Sequence, residues 1–326
     1  MLLVTGGAGF IGSNVVASLN EAGRSDIVVN DVLGADGKWR NLQKRQLADF
    51  VPPADIWRWL DGRKLDAVIH MAAISDTAAR DGDAVMENNF RLSLRLLDWC
   101  TDTHTPFLYA SSAATYGDGE RGFVDDNSLD ALRRLKPMNL YGWSKHLFDL
   151  AVIDRVRKGE KLPPQWAGLK FFNVFGPNEY HKGEMMSLIA KRFDDAKAGK
   201  PVTLFRSHRA GVGDGEQRRD FVSVDDAVGV VRWLLETPKV SGIYNVGTGK
   251  AESFRDLITA MFAALGRVPD ITYIDMPAQI RDSYQYFTEG SVENLRRAGY
   301  NAGFTPLADA VKRYVASYLD TADRYR

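Results

Sequence analysis

The feature that most constrains the fold is an alternation of short apolar runs with helical patterns through the first half of the chain. Runs of strand length, rich in Val, Ile and Leu, occupy residues 2–6, 26–31, 66–73 and 106–112. Helical patterns such as GSNVVASLNEAG and NNFRLSLRLLDWCTDT lie between them, and a helix at 139–158 and a strand at 166–174 are predicted to follow. Strand and helix repeated in this order predict a parallel sheet with helices on both faces, the doubly wound α/β or Rossmann architecture.

A glycine-rich turn directly follows the first of these strands. The segment GGAGFIG places Gly6, Gly9 and Gly12 between that strand and the next helical pattern. The first glycine permits a tight turn, the second lets the backbone approach a diphosphate, and the third lets helix pack on strand. The free N–H groups at the start of the helix favour an anion there. The sequence therefore predicts a dinucleotide site at this turn.

The preference between NAD and NADP stays open. Asp31 ends the second strand, 19 residues after Gly12, where a carboxylate binds the hydroxyls of the adenosine ribose and favours NAD. Lys38 lies seven residues further on and is a candidate partner for the 2′-phosphate of NADP. The segment LADF ends a predicted third strand, so Asp49 is either an adenine contact or a surface aspartate.

The second half of the chain is less regular, with glycine, proline and charge clusters at 158–164 and 206–220. The segments RDFVSVDDAVGVVRWLLE and GIYNVGTG again resemble strand–loop–helix–strand units, and we expect them to return to the first sheet. We therefore predict two domains. A dinucleotide-binding domain covers 1–172 with returning segments at about 219–247, and a smaller, discontinuous α/β substrate domain covers 173–218 and 248–326.

Composition limits the class of partner and compartment. The 42 Lys and Arg residues balance 42 Asp and Glu residues, which removes the electrostatic reason to expect nucleic acid or an anionic membrane. The single cysteine, Cys100, suits a reducing compartment, and the five histidines show no metal-ligand spacing. MLLVTGG leads into a strand without a basic secretory region, and no apolar stretch approaches the ~20 residues that span a bilayer. We expect a soluble, cytoplasmic protein.

A second motif carries the chemistry. YGWSK places Tyr141 and Lys145 four residues apart on a predicted helix, and therefore on one face. A free tyrosine has a pKa near 10, too high for a base at neutral pH, and a neighbouring ammonium lowers that pKa. Ser112, at the end of the strand PFLYASS, can present a hydroxyl to the same substrate oxygen. On its own, a Tyr-x-x-x-Lys pair is usually a packed tyrosine beside a lysine that extends to solvent. When the pair follows a dinucleotide turn and a strand-end serine, it predicts a catalytic Ser–Tyr–Lys set.

These residues carry a family resemblance over nearly the whole chain. TGGAGFIGS, ASSAATYG, YGWSK and NVFGP resemble the extended short-chain dehydrogenase/reductase family, which works on nucleotide sugars. The later segments HKGEM, RRDFVSVDD, YNVGTGKAESF and YQYFTEGSVENLRRAGY are similar to the branch of that family that inverts C6 of an ADP-linked heptose. The resemblance implies an epimerase with tightly bound NADP or NAD, a role in lipopolysaccharide core biosynthesis, and a homo-oligomer such as a pentamer.

The resemblance also implies site residues. It makes Tyr141 and Lys182 two bases, with Lys145 holding the cofactor ribose; the alternative for Lys182 is a solvated or phosphate-contacting charge. Motifs and resemblance together assign to the cofactor Gly6, Gly9, Phe10, Ile11, Gly12, Asp31, Val32, Lys38, Asp49, Ala72, Ala73, Ile74, Ser75, Asn88, Lys145 and Val174. They assign to the substrate Ser112, Asn173, Glu184, Lys191, Phe205, Arg206, Ser207, Arg219 and Tyr284.

Departures from the family pattern leave neighbouring functions open. Pro53 stands where the family can have a lysine near the 2′-phosphate, and Glu184 replaces a small hydroxyl residue beside the substrate. Ala113 and Ala114 occupy the positions of the Asp–Glu pair of the related 4,6-dehydratases, so dehydration lacks its acid and base. A 4-epimerase or a reductase needs only the tyrosine and lysine and stays an alternative. A non-catalytic nucleotide sensor is disfavoured because the Ser–Tyr–Lys set is complete.

Overall fold

A computed structural model describes residues 1–281 and 284–326 of the chain. The strands are β1 (Leu2–Thr5), β2 (Ile27–Asn30), β3 (Asp49–Val51), β4 (Ala67–His70), β5 (Phe107–Ser112), β6 (Trp166–Phe171), β7 (Asn173–Phe175), β8 (Val202–Phe205), β9 (Arg218–Ser223), β10 (Gly242–Val246), β11 (Ala251–Ser253) and β12 (Ile271–Ile274). The α-helices are α1 (Phe10–Glu21), α2 (Ile56–Leu60), α3 (Gly82–Met86), α4 (Leu92–Asp102), α5 (Leu129–Arg133), α6 (Leu140–Lys158), α7 (Leu188–Lys197), α8 (Val224–Glu236), α9 (Phe254–Ala264), α10 (Ala278–Arg281), α11 (Glu293–Arg297) and α12 (Leu307–Tyr314). Short 3₁₀ segments cover Lys38–Asn41, Pro53–Asp55, Ala113–Tyr116 and Tyr180–Met185, and π-helical turns cover Glu87–Arg91 and Val315–Leu319.

The main sheet has seven parallel strands in the order β10-β6-β5-β4-β1-β2-β3, which confirms the doubly wound architecture. Strand β1 lies between β2 and β4, with Leu2 opposite Ile27 on one side and Ala67 on the other. The order of strands reverses between β1 and β4, so the loops at their carboxyl ends diverge and leave a crevice.

Alternate residues of each strand pack against helices on opposite faces of the sheet. On one face, Val4 and Val29 pack with Val15 of α1 and Val228 of α8. On the other face, the intervening strand residues Leu3, Val28 and Phe107 pack with Leu96 of α4 and Phe148 of α6. Burial on both faces explains why the strands are continuous apolar runs rather than alternating patterns.

The sequence did not predict two smaller sheets. Strands β11, β9 and β7 form one, and β12 pairs with β8 in the other. A separate core surrounds them, built from α7, α9 and α12 around Phe193, Met261, Phe262 and Val311.

Some predicted elements differ in detail. The predicted strand at 166–174 is two strands, because at Phe172 the chain leaves the main sheet and β7 joins the three-stranded one. Of the segments expected to return to the first sheet, β10 joins it and α8 packs on α1, but β9 pairs with β7 and β11. The third strand begins at Asp49 rather than ending there. The predicted domain boundaries stay a prediction.

Candidate active site

A cavity of about 850 Å³ opens at the carboxyl ends of β1, β4 and β5, at the crevice where the strand order reverses. Its size is typical of a site that holds small molecules. The predicted cofactor residues that line it are Gly6, Gly9, Phe10, Ile11, Gly12, Asp31, Val32, Lys38, Ala72, Ala73, Ile74, Ser75, Asn88, Lys145 and Val174. The predicted catalytic and substrate residues that line it are Ser112, Tyr141, Asn173, Lys182, Arg219 and Tyr284.

The glycine-rich turn fits a dinucleotide diphosphate. Gly6 has a φ of 66°, and a Cβ there would lie 2.5 Å from the backbone nitrogen of Ala72. A Cβ on Gly12 would lie 2.1 Å from the carbonyl oxygen of Gly6. Helix α1 begins without a side-chain cap at Gly9, which leaves backbone donors of its first turn for an anion. Backbone rather than side chains therefore forms the floor of this part of the cavity.

Asp31 and Lys38 form a close pair at the end of β2. The ammonium of Lys38 donates to Oδ1 of Asp31 at 2.6 Å and to the carbonyl oxygen of Val32 at 2.9 Å. The backbone N–H of Ala8, in the glycine-rich turn, donates to Oδ2 of Asp31 at 2.8 Å. A carboxylate and an ammonium are thus both present at the edge of the cavity where an adenosine ribose would lie.

The Ser–Tyr–Lys set is assembled at the start of α6. Asn139 caps this helix by accepting from the N–H of Gly142 at 2.8 Å, which fixes the first turn that carries Tyr141. Burial raises the pKa of Tyr141, and a hydrogen bond with Ser112 opposes that shift. Burial lowers the pKa of Lys145 to about 8, against the opposing charge of Asp149. The hydroxyls of Ser112 and Tyr141 are therefore neighbours, beside a desolvated ammonium.

A buried polar network lies behind these residues. Lys170 and Asp149 are both fully buried and pair at 2.8 Å. Asp149 also accepts from the hydroxyls of Ser111 at 2.7 Å and Tyr109 at 3.1 Å, and Lys170 donates to the hydroxyl of Thr115. Asp149 lies one helical turn after Lys145, so this network holds the inner face of α6 in place.

Lys182 lines the same cavity. It belongs to the 3₁₀ segment Tyr180–Met185, which is kinked at Gly183 with φ 53° and ψ −121°. Its ammonium lies 5.4 Å from the centre of the Phe10 ring, next to the glycine-rich turn. Burial lowers the pKa of Lys182, and the charge of Glu179 opposes that shift. The interpretation of Lys182 as a freely solvated surface charge does not fit this position.

Arg219 supplies a buried cation to the cavity wall. Its side chain is almost fully buried, with the guanidinium 5.2 Å from the Tyr284 ring centre and 5.7 Å from that of Phe254. It donates to the carbonyl oxygen of Arg218 at 2.9 Å. Burial lowers the pKa of Arg219. No carboxylate in the described part of the chain forms an ion pair with it, and its planar donors suit a phosphate.

A second cavity of about 500 Å³ adjoins the first and shares Met186, Leu188, Phe254 and Tyr284 with it. Besides Tyr284, three residues assigned to the substrate line this second cavity: Glu184, Lys191 and Phe205. Lys191 donates to Glu184 at 3.1 Å, and the side chain of Glu184 is fully exposed.

Three predicted residues lie outside both cavities. Asp49 is on the edge strand β3 and accepts from the indole N–H of Trp59 at 3.0 Å. Arg206 follows β8, is half-exposed, and lies 3.5 Å from Asp275. The hydroxyl of Ser207 is engaged with the backbone of Arg209. The structure therefore does not bring these side chains together with the rest of the site.

Sequence reasoning also missed residues of the site. His181, Ser187, Gln285 and Thr288 line the main cavity, although only His181 had a signal, since it directly precedes Lys182. Gln217 lines the second cavity.

His70 and Cys100 are core residues. His70 is fully buried between Thr5 at 2.6 Å and Ser93 at 2.8 Å, and burial lowers its pKa to about 3. Cys100 is buried in the apolar core, which raises the pKa of its thiol. Among residues 1–281 and 284–326, no group of three His, Cys, Asp or Glu side chains is arranged to hold a metal ion. In the same ranges, no helix combines the length and apolar character needed to cross a membrane.

Known proteins resemble this chain over its full length. The chain is 49% identical over 329 residues to an ADP-L-glycero-D-manno-heptose-6-epimerase of Nitratidesulfovibrio vulgaris (strain DP4), with all of both chains covered. It is 44% identical over 335 residues to the enzyme of the same name in Fusobacterium nucleatum subsp. nucleatum, again over all of both chains. The crystal structure of the Helicobacter pylori ADP-L-glycero-D-manno-heptose-6-epimerase superposes with a TM-score of 0.80 at 28% identity, covering 97% of this chain and 95% of that chain. Residues 2–247 match the model of the NAD dependent epimerase/dehydratase family, and the chain belongs to that family.

Proposed function

We propose that this protein is an ADP-L-glycero-D-manno-heptose-6-epimerase, which inverts C6 of the heptose in ADP-D-glycero-D-manno-heptose for the lipopolysaccharide core. The observation that carries the proposal is that Tyr141 and Lys182 line one cavity beside the glycine-rich turn. The full-length relatives of that name, at 44% and 49% identity, support the same substrate.

The chemistry of C6 explains why such a site needs a dinucleotide and two proton-handling groups. C6 bears a hydroxyl and a hydrogen, and no carbonyl adjoins it to acidify the C–H bond. A bound nicotinamide dinucleotide supplies reversible hydride transfer, so that C6 passes through a ketone and regains its hydrogen on the opposite face. The glycine-rich turn would hold the diphosphate, and Lys145 the nicotinamide ribose.

Tyr141 and Lys182 are proposed to move the proton that accompanies each hydride transfer. In the oxidation, one of them takes the proton of the C6 hydroxyl while the C6–H bond breaks. In the reduction, the other returns a proton to the oxygen of the ketone as the new C6–H bond forms. Two groups are needed because the two epimers direct this hydroxyl differently. Burial favours the neutral amine at Lys182, which can accept a proton, and the neutral phenol at Tyr141, which can donate one, while the neighbouring Ser112 hydroxyl opposes the rise in the Tyr141 pKa.

The ADP part of the substrate is proposed to lie across the two cavities. Arg219 would bind the diphosphate, with Tyr284 beside it, and Asn173 would face the sugar. The adjoining cavity, with Phe205 on its wall, would take the nucleoside. Contacts from Arg206, Ser207 and Asp49 stay predictions, since these residues lie outside both cavities.

The cofactor is proposed to be NADP, with NAD as the alternative. Lys38 supplies an ammonium at the site of the adenosine ribose, where it can pair with a 2′-phosphate. Asp31 at the same place favours the free hydroxyls of NAD. Releasing the bound dinucleotide by denaturation and identifying it by mass spectrometry separates the two.

The decisive experiment follows the stereochemistry of C6 by NMR after incubation with ADP-D-glycero-D-manno-heptose in deuterium oxide. We expect the L-glycero epimer, with the original hydrogen retained at C6 and no net consumption of added cofactor. Incorporation of solvent deuterium at C6 would overturn the oxidation–reduction mechanism. Stoichiometric oxidation of NADPH would instead indicate a reductase.

Lys182→Met tests the second base. The loss of a positioned acid–base group is expected to slow epimerisation by about 10²–10⁴-fold. A rate within a few-fold of wild type in both directions would remove Lys182 from the mechanism.

Two further properties belong to the proposal. The single buried cysteine and an ADP-linked substrate fit a cytoplasmic location. A homo-oligomer is proposed by family resemblance, and light scattering after size-exclusion chromatography measures it.

A further inference from the structure

A fully buried carboxylate lies three residues before Lys182. Glu179 has no exposed surface and does not line either cavity. Burying an ionisable group is unfavourable unless hydrogen bonds compensate. Since this side chain lines neither cavity, contacts within the protein must explain its burial.

Glu179 binds both ends of the loop that carries Lys182. Its Oε1 accepts from the backbone N–H of Gly176 at 3.2 Å and from the hydroxyl of Ser187 at 2.8 Å, and its Oε2 accepts from the backbone N–H of Ser187. Gly176 and Ser187 delimit a loop of residues 176–187, which contains the 3₁₀ segment with Lys182. One carboxylate therefore closes the loop on itself.

The loop is also tied to the structure on either side. Tyr314, at the end of α12, donates its hydroxyl to Oε1 of Glu179 at 3.1 Å. On the other side, the carbonyl oxygen of Pro177 accepts from Asn14 of α1 at 2.9 Å, and Asn178 donates to Ser13 of α1 at 3.1 Å. The loop thus connects α12 with the first turn of α1, beside which Lys182 lies.

The negative charge of Glu179 favours the protonated form of Lys182. It opposes the lowering of the Lys182 pKa that burial causes. His181, which directly precedes Lys182 in the chain, is another titratable group at this position. It also lines the main cavity. A neutral amide at position 179 would keep part of the hydrogen bonding but would turn an N–H group toward the backbone N–H of Ser187.

We infer that Glu179 is a positioning residue, which holds the 176–187 loop so that Lys182 faces the reacting carbon. This inference rests on the proposed role of Lys182 as a base. It assigns no contact between Glu179 and the substrate. Misplacing a catalytic group by about 1 Å can reduce a rate by about 10²-fold, so loss of the clamp should be visible in kcat.

A double-mutant cycle tests the inference with the full-length protein. The variants are Glu179→Gln, Lys182→Met and the double variant, measured for epimerisation rate by NMR and for melting temperature. Asp125→Asn is the matched control, because Asp125 is also a buried carboxylate that accepts a backbone N–H, at 2.8 Å, and lines neither cavity. We expect Glu179→Gln to lower kcat by about 10- to 100-fold. In the Lys182→Met background the same substitution should change the rate by less than about 3-fold, because its effect acts through Lys182.

Other outcomes separate the possible failures. An equal effect of Glu179→Gln in both backgrounds, or no effect on wild type, would overturn the positioning role while leaving Lys182 as a base. A normal rate for Lys182→Met would overturn both. If Glu179→Gln does not fold, Tyr314→Phe removes a single hydrogen bond to the same carboxylate and keeps the ring. It should show a smaller loss of kcat that also disappears without Lys182, and additivity there would likewise refute the inference.

Discussion

Replacing Lys170 by methionine is expected to destabilise the protein far more than replacing a surface lysine. Lys170 and Asp149 have no exposed side-chain surface, and they pair at 2.8 Å beneath α6. The lysine also donates to Thr115 and lies 4.9 Å from the centre of the Tyr116 ring. Methionine fills much of the same volume, so the change mainly removes the charge and the donors.

The size of the effect follows from these contacts. Removing one partner of a buried ion pair costs about 3–5 kcal/mol, because the other charge stays buried without compensation. Asp149 keeps its hydrogen bonds from Ser111 and Tyr109, which favours the lower part of that range. Loss of the contact with the Tyr116 ring adds about 0.5–2 kcal/mol. Even about 3 kcal/mol corresponds to a fall in Tm of roughly 4–5 °C for 326 residues, at about 2.1 cal/mol/K of unfolding entropy per residue.

Thermal unfolding followed by circular dichroism measures this change. The second variant, Lys170→Met with Asp149→Asn, removes the uncompensated charge and keeps an acceptor for Ser111, so at least half of the lost stability should return. Lys158→Met is the control, because Lys158 pairs with Asp154 on the exposed side of the same helix and should leave Tm almost unchanged. A loss below about 1 kcal/mol for Lys170→Met would refute the reasoning, since it falls outside the range for a broken buried pair. No recovery in the double variant would refute it as well.

Three further predictions address the site itself. Gly12→Ala should prevent retention of the dinucleotide during purification, because the new Cβ would lie 2.1 Å from the Gly6 oxygen. The control Gly82→Ala, at a position with open space around it, should retain the dinucleotide. Equal retention by the two variants would contradict the fit of the glycine-rich turn to a diphosphate. Arg219→Lys should raise KM for the ADP-sugar by about 10-fold with a smaller change in kcat, because lysine lacks the planar fork; a change confined to kcat would contradict a diphosphate contact. Burial lowers the pKa of Lys145 to about 8, from an ordinary value of 10.5, so between those pH values the unfolded chain binds more protons and stability rises with pH. Urea unfolding at pH 8 and pH 10 should therefore show the wild type gaining about 2 kcal/mol relative to Lys145→Met, and a flat or falling difference would refute this assignment.

Much of the fold could be predicted because its signals are local. Most strands of the main sheet are separate apolar runs that are long enough to identify alone, whereas β3 has only three residues and its position was predicted wrongly. The break at Phe172 could not be predicted, since residues 166–174 have the pattern of one continuous strand with no glycine or proline at the break. Only pairing with distant strands makes β6 and β7 members of different sheets.

The candidate site divides in the same way. Gly6 and Gly12 are six residues apart and Tyr141 and Lys145 are four apart, so the geometry within each pair follows from a single turn or helix. Arg206 was assigned to the substrate but lies outside both cavities. The direction of an exposed side chain after a strand depends on tertiary contacts, which sequence spacing does not specify.

The sequence alone determined the type of sheet, the dinucleotide turn and the tyrosine–lysine pair, because each depends on residues that are neighbours along the chain. The tertiary structure alone decided that Lys182 lies beside Phe10, that Glu179 closes the loop behind it, and that Lys170 meets Asp149 away from water. Those arrangements depend on burial, which removes water from charged groups only once distant segments have packed together. Proton affinity and orientation at this site are therefore properties of the folded chain and not of any motif within it.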